Sequence, residues 1–423
     1  MIKSYFSSFS ERPLIEIVHS FFDNVEGLAK NHHVEIHIML FSFTHPYLSH
    51  RLKEIAKSNP AIQIKILADW GLVSDDAKRK VKPLALLNLE NLEIRFTYDQ
   101  PYLWNEEKQQ LQWNYQTSLG LLHHRTATIF LDHQPVKLLT GSFNWTKQAG
   151  ENYENLLEFK SSTKNISQVI WDIENEFQSI WRDPHLSLSF SSSILQKQYT
   201  QNQYIVTPDT LPTDIRRLTG QKGGDLSLPT QSSQDAIIEK NEFVAFSSNS
   251  TNSTDKRRGF SEKVNSRYFM MKSNSGKEKR VPIDITTTSL DLIFRANKDS
   301  VLRVAMFALS SRVAEYGALL EAARRGVVVK VILGVEIETI EKIRAVAQKE
   351  GIPIEVMYGA KCMHQKYMVD VENGNIITGT ANMTTDAIER HMEHRFRFVS
   401  NHSLAREFAK DFDRIWQEEC LKV

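Results

Sequence analysis

Residues 138–146 read LLTGSFNWT and residues 376–384 read IITGTANMT, so the chain carries one short pattern twice. Each copy comes after an apolar run, which is VEIHIMLFSF at 34–43 and VLRVAMFALS at 301–310. Apolar runs of this kind, alternating with helical segments, are typical of strands that are buried on both faces of a sheet. The duplication therefore indicates two related α/β domains.

The similarity between the two halves continues on either side of these stretches. A second apolar run follows in each half, IQIKILA at 62–68 and VVVKVIL at 327–333. Each half also closes with a long amphipathic helix, and these helices contain EFQSIW at 176–181 and DFDRIW at 411–416. The same order of strand, helix and strand thus occurs twice, as expected for two copies of one unit.

We expect two pseudo-symmetric α/β/α sandwich domains, at 1–190 and 285–423, each with a mixed, mostly parallel sheet. The segment between them, 191–284, is rich in Ser, Thr, Asn, Gln and Lys, and we interpret it as a polar linker, part ordered and part mobile. Within it, 255–280 has more basic than acidic residues, which suits phosphates or an anionic membrane surface. A solvated loop would explain the same composition.

Composition excludes several classes of protein. The 423 residues include 52 Lys and Arg and 51 Asp and Glu, so the chain is neither a polycation nor an acidic tail. No apolar run approaches the ~18 residues of a membrane-spanning helix, and the first residues lack the apolar core of a signal peptide. Cys362 and Cys420 are too few for a disulfide framework. We expect a cytoplasmic protein in which Cys362 is a buried structural thiol.

Each half also places a histidine two residues before a cation. The pairs are His123 with Arg125 and His364 with Lys366. Residues i and i+2 of a strand point to the same face, so imidazole and cation project toward one spot. Attack on a phosphate requires a nucleophile, here the imidazole, and a cation at the same place. A carboxylate follows further along each half, Glu154 in NYEN and Glu393 in HMEH.

These motifs resemble those of the phospholipase D superfamily, whose mark is two H-x-K-x4-D and G-S-x-N motifs that meet at one site. The stretch GSFNWTKQAGENYENLLEF at 141–159 is most similar to the Nuc-type and mitochondrial-type endonucleases. Arg125 replaces the family lysine, and a guanidinium can bind phosphate in a bidentate way. Asp132 and Asp370 are displaced from the family positions, and the resemblance implies mainly structural roles for them. Alignment on His124 would lose the cation, so we prefer His123.

The resemblance implies a phosphodiesterase that needs neither a metal nor a cofactor. His123 would be the nucleophile that forms a phosphohistidine, and His364 the general acid and then base. Glu154 and Glu393 would each accept the other ring N–H of a histidine and fix its orientation. The phosphate oxygens would be bound by side chains of both motifs, namely Arg125, Lys366, Ser142, Asn144, Thr380 and Asn382.

The substrate is less well defined by the sequence. The first half is longer before its histidine, and the extra stretch carries Tyr98, Tyr102, Trp104, Trp113 and Tyr115. These aromatics suit base stacking, a lipid interface, or a hairpin that packs on its own domain. We expect nucleic acid as the substrate, with phospholipid at a membrane surface as the alternative and an inactive scaffold as a third reading.

Two further expectations complete the sequence interpretation. Since both motifs lie in one chain, a monomer can complete the site and no protein partner is implied. The remaining histidines of interest are interpreted as ordinary surface or core residues, namely His32, His33, His133, His391 and His394.

Overall fold

The structure is a computed structural model. It describes residues 1–69, 81, 84, 87, 89–97, 102–105, 110–113, 121–182, 187–189, 231–232, 242–247, 268–272, 278–359, 361–418 and 420–421. Two eight-stranded sheets form its frame, one in each half of the chain.

The first sheet is built from the N-terminal half. In spatial order its strands are β1 (Ile2–Phe6), β9 (Asn155–Lys160), β8 (Gln134–Gly141), β7 (Arg125–Leu131), β2 (Val34–Leu40), β3 (Ile62–Ala68), β4 (Leu92–Thr97) and β10 (Ser187–Ser189). Its helices are α1 (Leu14–Phe21), α2 (Val25–Leu28), α3 (Pro46–Ser58) and α4 (Lys164–Arg182), with a short 3-10 helix at Gln148–Glu151.

The second sheet repeats that order of strands. Its members are β12 (Glu242–Phe246), β20 (His394–Phe398), β19 (Asn375–Gly379), β18 (Lys366–Asp370), β15 (Val301–Met306), β16 (Val328–Leu333), β17 (Ile354–Gly359) and β21 (Cys420–Leu421). Its helices are α5 (Ile285–Arg295), α6 (Ala314–Arg324), α7 (Ile337–Glu350), α8 (Thr385–Glu389) and α9 (His402–Glu418). The prediction of two pseudo-symmetric α/β domains is confirmed.

Both sheets are mixed, but they are less parallel than the sequence predicts. Parallel pairing is confined to β2–β3–β4 in the first sheet and β15–β16–β17 in the second. The other pairs are antiparallel, because β7, β8 and β9 run back and forth as hairpins and β18, β19 and β20 do the same. A strand that is buried on both faces is apolar throughout in either direction, so its sequence does not reveal which neighbour it runs beside.

The predicted linker contributes to the second sheet. β12 lies within 191–284, and it pairs antiparallel with β20 at the sheet edge. Shorter strands form two small sheets, one of β5 (Tyr102–Asn105) and β6 (Gln110–Trp113), the other of β11 (Gln231–Ser232), β13 (Tyr268–Lys272) and β14 (Glu278–Pro282). The aromatic stretch therefore contains a hairpin, although Tyr98 and Tyr115 lie outside the described residues. Most of 191–284 does too, so its expected mobility stays a prediction.

One hydrophobic core joins the two halves. The ring of Phe6 meets Phe408 edge-on with centroids 4.9 Å apart, and Phe159 lies 5.1 Å from Phe396. Residues of β1, β9, α4, β20 and α9 belong to this core together. Burial of apolar area across the junction stabilises the pairing of the halves, and it brings the N-terminal ends of β7 and β18 close together. Among the helices that the structure describes, none is both long enough and apolar enough to cross a bilayer.

Candidate active site

The two motifs meet through backbone hydrogen bonds between the halves. The N–H of His123 donates to the carbonyl oxygen of Met392 at 3.0 Å. In the same way, the N–H of His364 donates to the carbonyl oxygen of Tyr153 at 3.0 Å. Each of these bonds places one motif histidine beside the segment that carries the glutamate of the other half. The predicted site at the junction is therefore assembled from both halves.

The two glutamates are exchanged between the halves. Glu393 Oε1 lies 2.6 Å from His123 Nδ1, and Glu154 Oε1 lies 2.7 Å from His364 Nδ1. Both carboxyl groups are fully buried. The sequence predicts that a glutamate holds each histidine, and the structure adds that each holds the histidine of the opposite half. Removal of either carboxylate would release a ring on the other side of the junction.

The contacts of His123 define which ring nitrogen carries its proton. Arg125 Nη2 lies 2.6 Å from His123 Nε2, and a guanidinium can only donate, so Nε2 accepts through its lone pair. In the neutral ring the proton then sits on Nδ1 and is donated to Glu393. Burial, reinforced by the charge of Arg125, holds the pKa of His123 well below its usual value. The ring is thus neutral, with a lone pair directed at a cation.

Arg125 is fixed from several sides. Its Nη1 donates to the carbonyl oxygen of His123 at 2.9 Å, and its Nε donates to Asn144 Oδ1 at 2.5 Å. The guanidinium carbon lies 5.4 Å from the centre of the Phe41 ring. Burial lowers its pKa to about 10, so the group stays charged at neutral pH. The predicted pair of Arg125 and His123 is brought together, whereas His124 turns away from it.

Lys366 repeats this arrangement in the second half. Its Nζ donates to the carbonyl oxygen of His364 at 2.6 Å and lies 5.3 Å from the centre of the Phe307 ring. Burial, with the charge of Arg125 as a second cause, lowers the pKa of Lys366 to about 7. An anionic phosphate in contact with the amine would favour its charged form. The charge of this group therefore depends on what occupies the site.

Burial also shifts the pKa of His364 and of Glu393 toward the neutral form of each group. It lowers the pKa of His364 to about 4 and raises the pKa of Glu393 to about 8. Both shifts have the same cause, since charge is poorly solvated at this junction. A neutral imidazole is the state in which His123 can attack phosphorus. An anionic substrate would raise the pKa of His364, so that this second ring can carry a proton.

The hydroxyl groups of the G-S/T-x-N motifs contact the backbone. Ser142 Oγ accepts the N–H of Asn155 at 2.9 Å, and Thr380 Oγ1 accepts the N–H of His394 at 3.1 Å. Asn155 and His394 each follow a site glutamate directly in the chain. The two hydroxyls thus position the glutamate segments, and their binding of phosphate stays a prediction.

The glycines of these motifs allow the close approach on which those bonds depend. A Cβ on Gly141 would overlap the carbonyl oxygen of Asn155, and a Cβ on Gly379 would overlap that of His394. Beyond them, Asn144 binds Arg125, whereas Asn382 Oδ1 is buried and has no hydrogen-bond partner among the described residues. Asn382 is thus free to orient toward a ligand.

A comparison with protein families identifies the chain at this point. The family model described as cardiolipin synthase, PLD-like domain, matches residues 28–181 and 290–416, together more than half of the chain. The chain belongs to the phospholipase D superfamily. No curated protein sequence matches it. Both matched ranges contain one histidine motif, so the superfamily assignment rests on the duplicated unit.

Three solved structures are similar to this chain to different degrees. Phosphatidylserine synthase from Haemophilus influenzae is 12% identical, with a TM-score of 0.58, over 100% of this chain and 87% of that one. Nuc from Salmonella typhimurium is 20% identical over 32% of this chain and 90% of its own, with a TM-score of 0.28. The yeast tyrosyl-DNA phosphodiesterase is 10% identical over 89% and 86% of the two chains, with a TM-score of 0.43. At such identity the first of these supports the fold alone.

Sequence reasoning missed two aromatic residues of the site. Phe41 packs against His123 with ring centroids 4.8 Å apart, and Phe307 packs against His364 at 5.1 Å, both edge-on. Each phenylalanine directly follows the first apolar strand of its half, β2 or β15. That shared position was a signal available in the sequence. The rings exclude water from one side of each imidazole and so contribute to the lowered pKa of His123 and His364.

His391 is a third histidine at the site and was wrongly set aside with the surface and core residues. Its Nδ1 accepts the N–H of Leu121 at 3.0 Å, so in the neutral ring the proton lies on Nε2. Its ring centroid lies 5.8 Å from that of His123, and burial lowers its pKa to about 4. The first half has Asn152 here, so the pseudo-symmetry of the site is broken at this position. His394, in contrast, is fully buried and stacks on His124.

The displaced aspartates of the motifs stabilise turns. Asp132 lies in the turn after β7 and accepts the N–H of His33 at 2.9 Å. Asp370 ends β18 and accepts the N–H of Asn373 at 3.2 Å. Cys362 is exposed, so the expectation of a buried thiol is wrong. Its carbonyl oxygen accepts the N–H of Tyr153 at 2.9 Å, and this bond across the junction requires only the backbone of Cys362.

A polar cleft of about 640 Å³ opens beside Asn382 and His391. It lies on the C-terminal half, between the segments around α7 and α8. Its charged lining residues are Arg312, Glu336, Glu338, Lys342, Asp386 and Arg390. The cleft therefore offers hydrogen bonds and charges of both signs to a group bound next to the two histidines.

Proposed function

We propose that the protein is a metal-independent phosphodiesterase that works through a phosphohistidine, with nucleic acid as its substrate. One observation carries this proposal: two neutral imidazoles meet at one junction, and a buried glutamate of the opposite half orients each ring. Cations accompany both rings. This set of groups suits one phosphorus atom between two histidines.

In the first step, His123 Nε2 attacks phosphorus and forms an N–P bond while the P–O bond to the leaving group breaks. The leaving oxygen takes a proton from His364. Arg125, which donates to Nε2 in the free protein, would turn onto a phosphate oxygen as the substrate enters. Lys366 and Arg125 then stabilise the negative charge on the phosphorane oxygens.

In the second step, water replaces the histidine. His364, now neutral, accepts a proton from the water as its oxygen attacks phosphorus, and the N–P bond breaks. The product leaves with one oxygen from water, and His123 regains its lone pair. Glu393 and Glu154 hold the Nδ1 protons of the two rings throughout, so that the Nε2 atoms remain the reacting atoms.

The choice of nucleic acid is supported by two features. The stretch 141–159 resembles the superfamily's endonucleases, as described above. The cleft beside Asn382 and His391 is lined mainly by polar and charged side chains, with Phe307, Ala308 and Val335 as its apolar members. Such a lining suits the sugars and phosphates of a strand better than the acyl chains of a lipid.

Phospholipid is the second candidate, and it too has specific support. The matching family model is described as cardiolipin synthase, and the fold is similar along the whole chain to a phosphatidylserine synthase. The same two-step chemistry would serve a lipid head group.

The two candidates are separated by one assay. Purified protein in EDTA is offered single-stranded DNA, double-stranded DNA, RNA and phosphatidylcholine or cardiolipin vesicles side by side. His364→Asn is the matched control for contaminating activity. We expect cleavage of a nucleic acid by the wild type alone. Cleavage of lipid only would overturn the preferred substrate, and no turnover of any substrate would favour the inactive scaffold.

A further inference from the structure

Three potential metal ligands lie together at the end of the first sheet that is remote from the candidate active site. They are His33, Glu35 and His133, and their ligand atoms all lie within 4.8 Å of one another. Glu35 Oε1 is 2.7 Å from His133 Nδ1 and 3.5 Å from His33 Nε2. The two imidazole rings are 4.8 Å apart. All three side chains thus converge on one point.

The backbone around this point is tied in place by one aspartate. Asp132 Oδ1 accepts the N–H of His33 at 2.9 Å, and its own N–H donates to the carbonyl oxygen of His33 at 2.9 Å. Its Oδ2 lies 2.7 Å from His32 Nδ1. The segment before β2 is therefore fixed against the turn between β7 and β8. This arrangement preorganises His33 and His133 relative to each other.

The carboxylate of Glu35 is held from its other side. Glu35 Oε2 lies 3.5 Å from His37 Nε2 and 3.8 Å from Lys65 Nζ. These groups leave Oε1 directed at His33 and His133. Outer partners that orient a ligating carboxylate in this way are typical of metal sites.

The turn that presents His133 adopts an unfavourable backbone conformation. Asp132 has φ 50° and His133 has φ 63°, both in the left-handed region, where two-residue hairpin turns usually carry Asn-Gly. A histidine at the second position gives up the conformational freedom of glycine. In return it places an imidazole beside Glu35. Backbone strain that persists at an exposed turn points to a function of the side chain it presents.

We propose that His33, Glu35 and His133 bind a divalent transition-metal ion, for which zinc is the best match. Zinc takes imidazole nitrogen and carboxylate oxygen at about 2.0–2.2 Å, and three protein ligands leave a position for water. The ligands of such a tetrahedron are about 3.4 Å apart, and the ligand atoms here lie within 4.8 Å of one another before binding. A small movement of Glu35 away from His133 would admit the ion.

This site is independent of the proposed phosphodiester chemistry. β2 begins after His33 and ends before Phe41 of the candidate active site, and seven residues of strand span roughly 23 Å. A bound ion would cross-link the segment before β2 to the turn after β7. We therefore expect metal to change the stability of the first domain and to leave catalysis unchanged.

The test is a zinc titration of the full-length, tag-free chain after EDTA treatment and buffer exchange. Calorimetry with Zn²⁺ measures affinity and stoichiometry, and thermal unfolding measures stabilisation. We expect His33→Ala and His133→Asn each to weaken zinc binding at least tenfold and to abolish the zinc-dependent rise in Tm. Asn tolerates the left-handed turn, so His133→Asn removes the ligand without disturbing the hairpin. His50→Asn, on the exposed face of α3, is the control and should bind like the wild type.

Unchanged zinc affinity and stoichiometry in both ligand variants would overturn the proposal, as would the absence of zinc binding by the wild type. Glu35→Gln provides an independent check, since it retains the side-chain shape while it removes the charge. Circular dichroism of the metal-free variants shows that each is folded. Equal weakening by His50→Asn would mean that zinc binds surface histidines unselectively, which also contradicts the proposed site.

Discussion

Replacement of Glu393 by Gln tests the exchange of glutamates between the halves. Glu393 Oε1 lies 2.6 Å from His123 Nδ1, and its side chain is fully buried. An amide of the same shape keeps the packing but cannot ionise, whereas the carboxyl group of Glu393, with its pKa raised to about 8, can become negative as positive charge develops on His123 during attack. It can also present its NH₂ group to Nδ1, which would stabilise the tautomer that carries its proton on Nε2. In that tautomer His123 has no lone pair on the attacking atom.

The expected loss of rate has two sources, the missing carboxylate charge and the missing reactive tautomer of His123. A hydrogen bond to a charged group contributes about 1.5–3 kcal/mol, and loss of the reactive tautomer adds to it. The equivalent carboxylate-to-amide change in a serine protease triad lowers kcat about 10⁴-fold. We expect the first step of the Glu393→Gln variant to slow by about 10³–10⁴-fold, which corresponds to about 4–5.5 kcal/mol.

The assay is stopped-flow hydrolysis of bis(p-nitrophenyl) phosphate, whose leaving group departs without a general acid. Glu393→Gln should lose the burst of nitrophenolate, because His123 cannot attack. The matched variant Glu154→Gln makes the same change beside His364, so it should keep the burst and slow the steady state. Thermal unfolding of both variants controls for folding. A burst retained by Glu393→Gln and lost by Glu154→Gln would refute the assigned roles.

Three further predictions concern neighbouring positions. The pKa of Lys366 is lowered to about 7, so kcat/KM for an anionic phosphodiester should fall as pH rises above 7. Lys366→Arg should remove that fall. A variant whose kcat/KM falls with pH as in the wild type would contradict the assignment to Lys366. Gly141→Ala should lower the free energy of unfolding in urea by about 1–3 kcal/mol. Gly150→Ala, with open space around its Cβ, should be nearly neutral. We expect the Nε2–H of His391, which lies beside His123, to donate one hydrogen bond to the substrate, so His391→Asn should reduce kcat/KM about tenfold. Wild-type kinetics in this variant would exclude that contact.

The sequence predicted the frame of the molecule well, for a physical reason. The runs at 34–43 and 301–310 are apolar throughout, and strands β2 and β15 lie within them. The repeated motifs then located both histidine–cation pairs, since i and i+2 positions share a strand face. Arg125 and Lys366 are the first residues of β7 and β18, and each binds the carbonyl oxygen of the histidine two residues earlier, a local contact between neighbours in the chain.

Contacts that depend on the packing of the two halves could not be predicted from the sequence. Glu393 and His123 are 270 residues apart in the chain, and nothing in either motif indicates that the glutamates are exchanged. The same applies to His391, whose place beside His123 results from its bond to Leu121. β12 was also unexpected, because it is a single edge strand within a polar segment. Its sequence does not recur in the other half of the chain, so the internal repeat gave no signal for it. Each of these features is set by tertiary packing.

The most direct test of the two-histidine site is to locate the phosphoryl group on the protein. A His364→Asn variant, incubated with bis(p-nitrophenyl) phosphate and then quenched at alkaline pH, can be digested and mapped by mass spectrometry. We predict an acid-labile p-nitrophenylphosphoryl group on His123, formed with release of one nitrophenolate, which accumulates because the base that activates water is absent. The same group on any other residue, or an unmodified chain that still releases nitrophenol, would contradict the account.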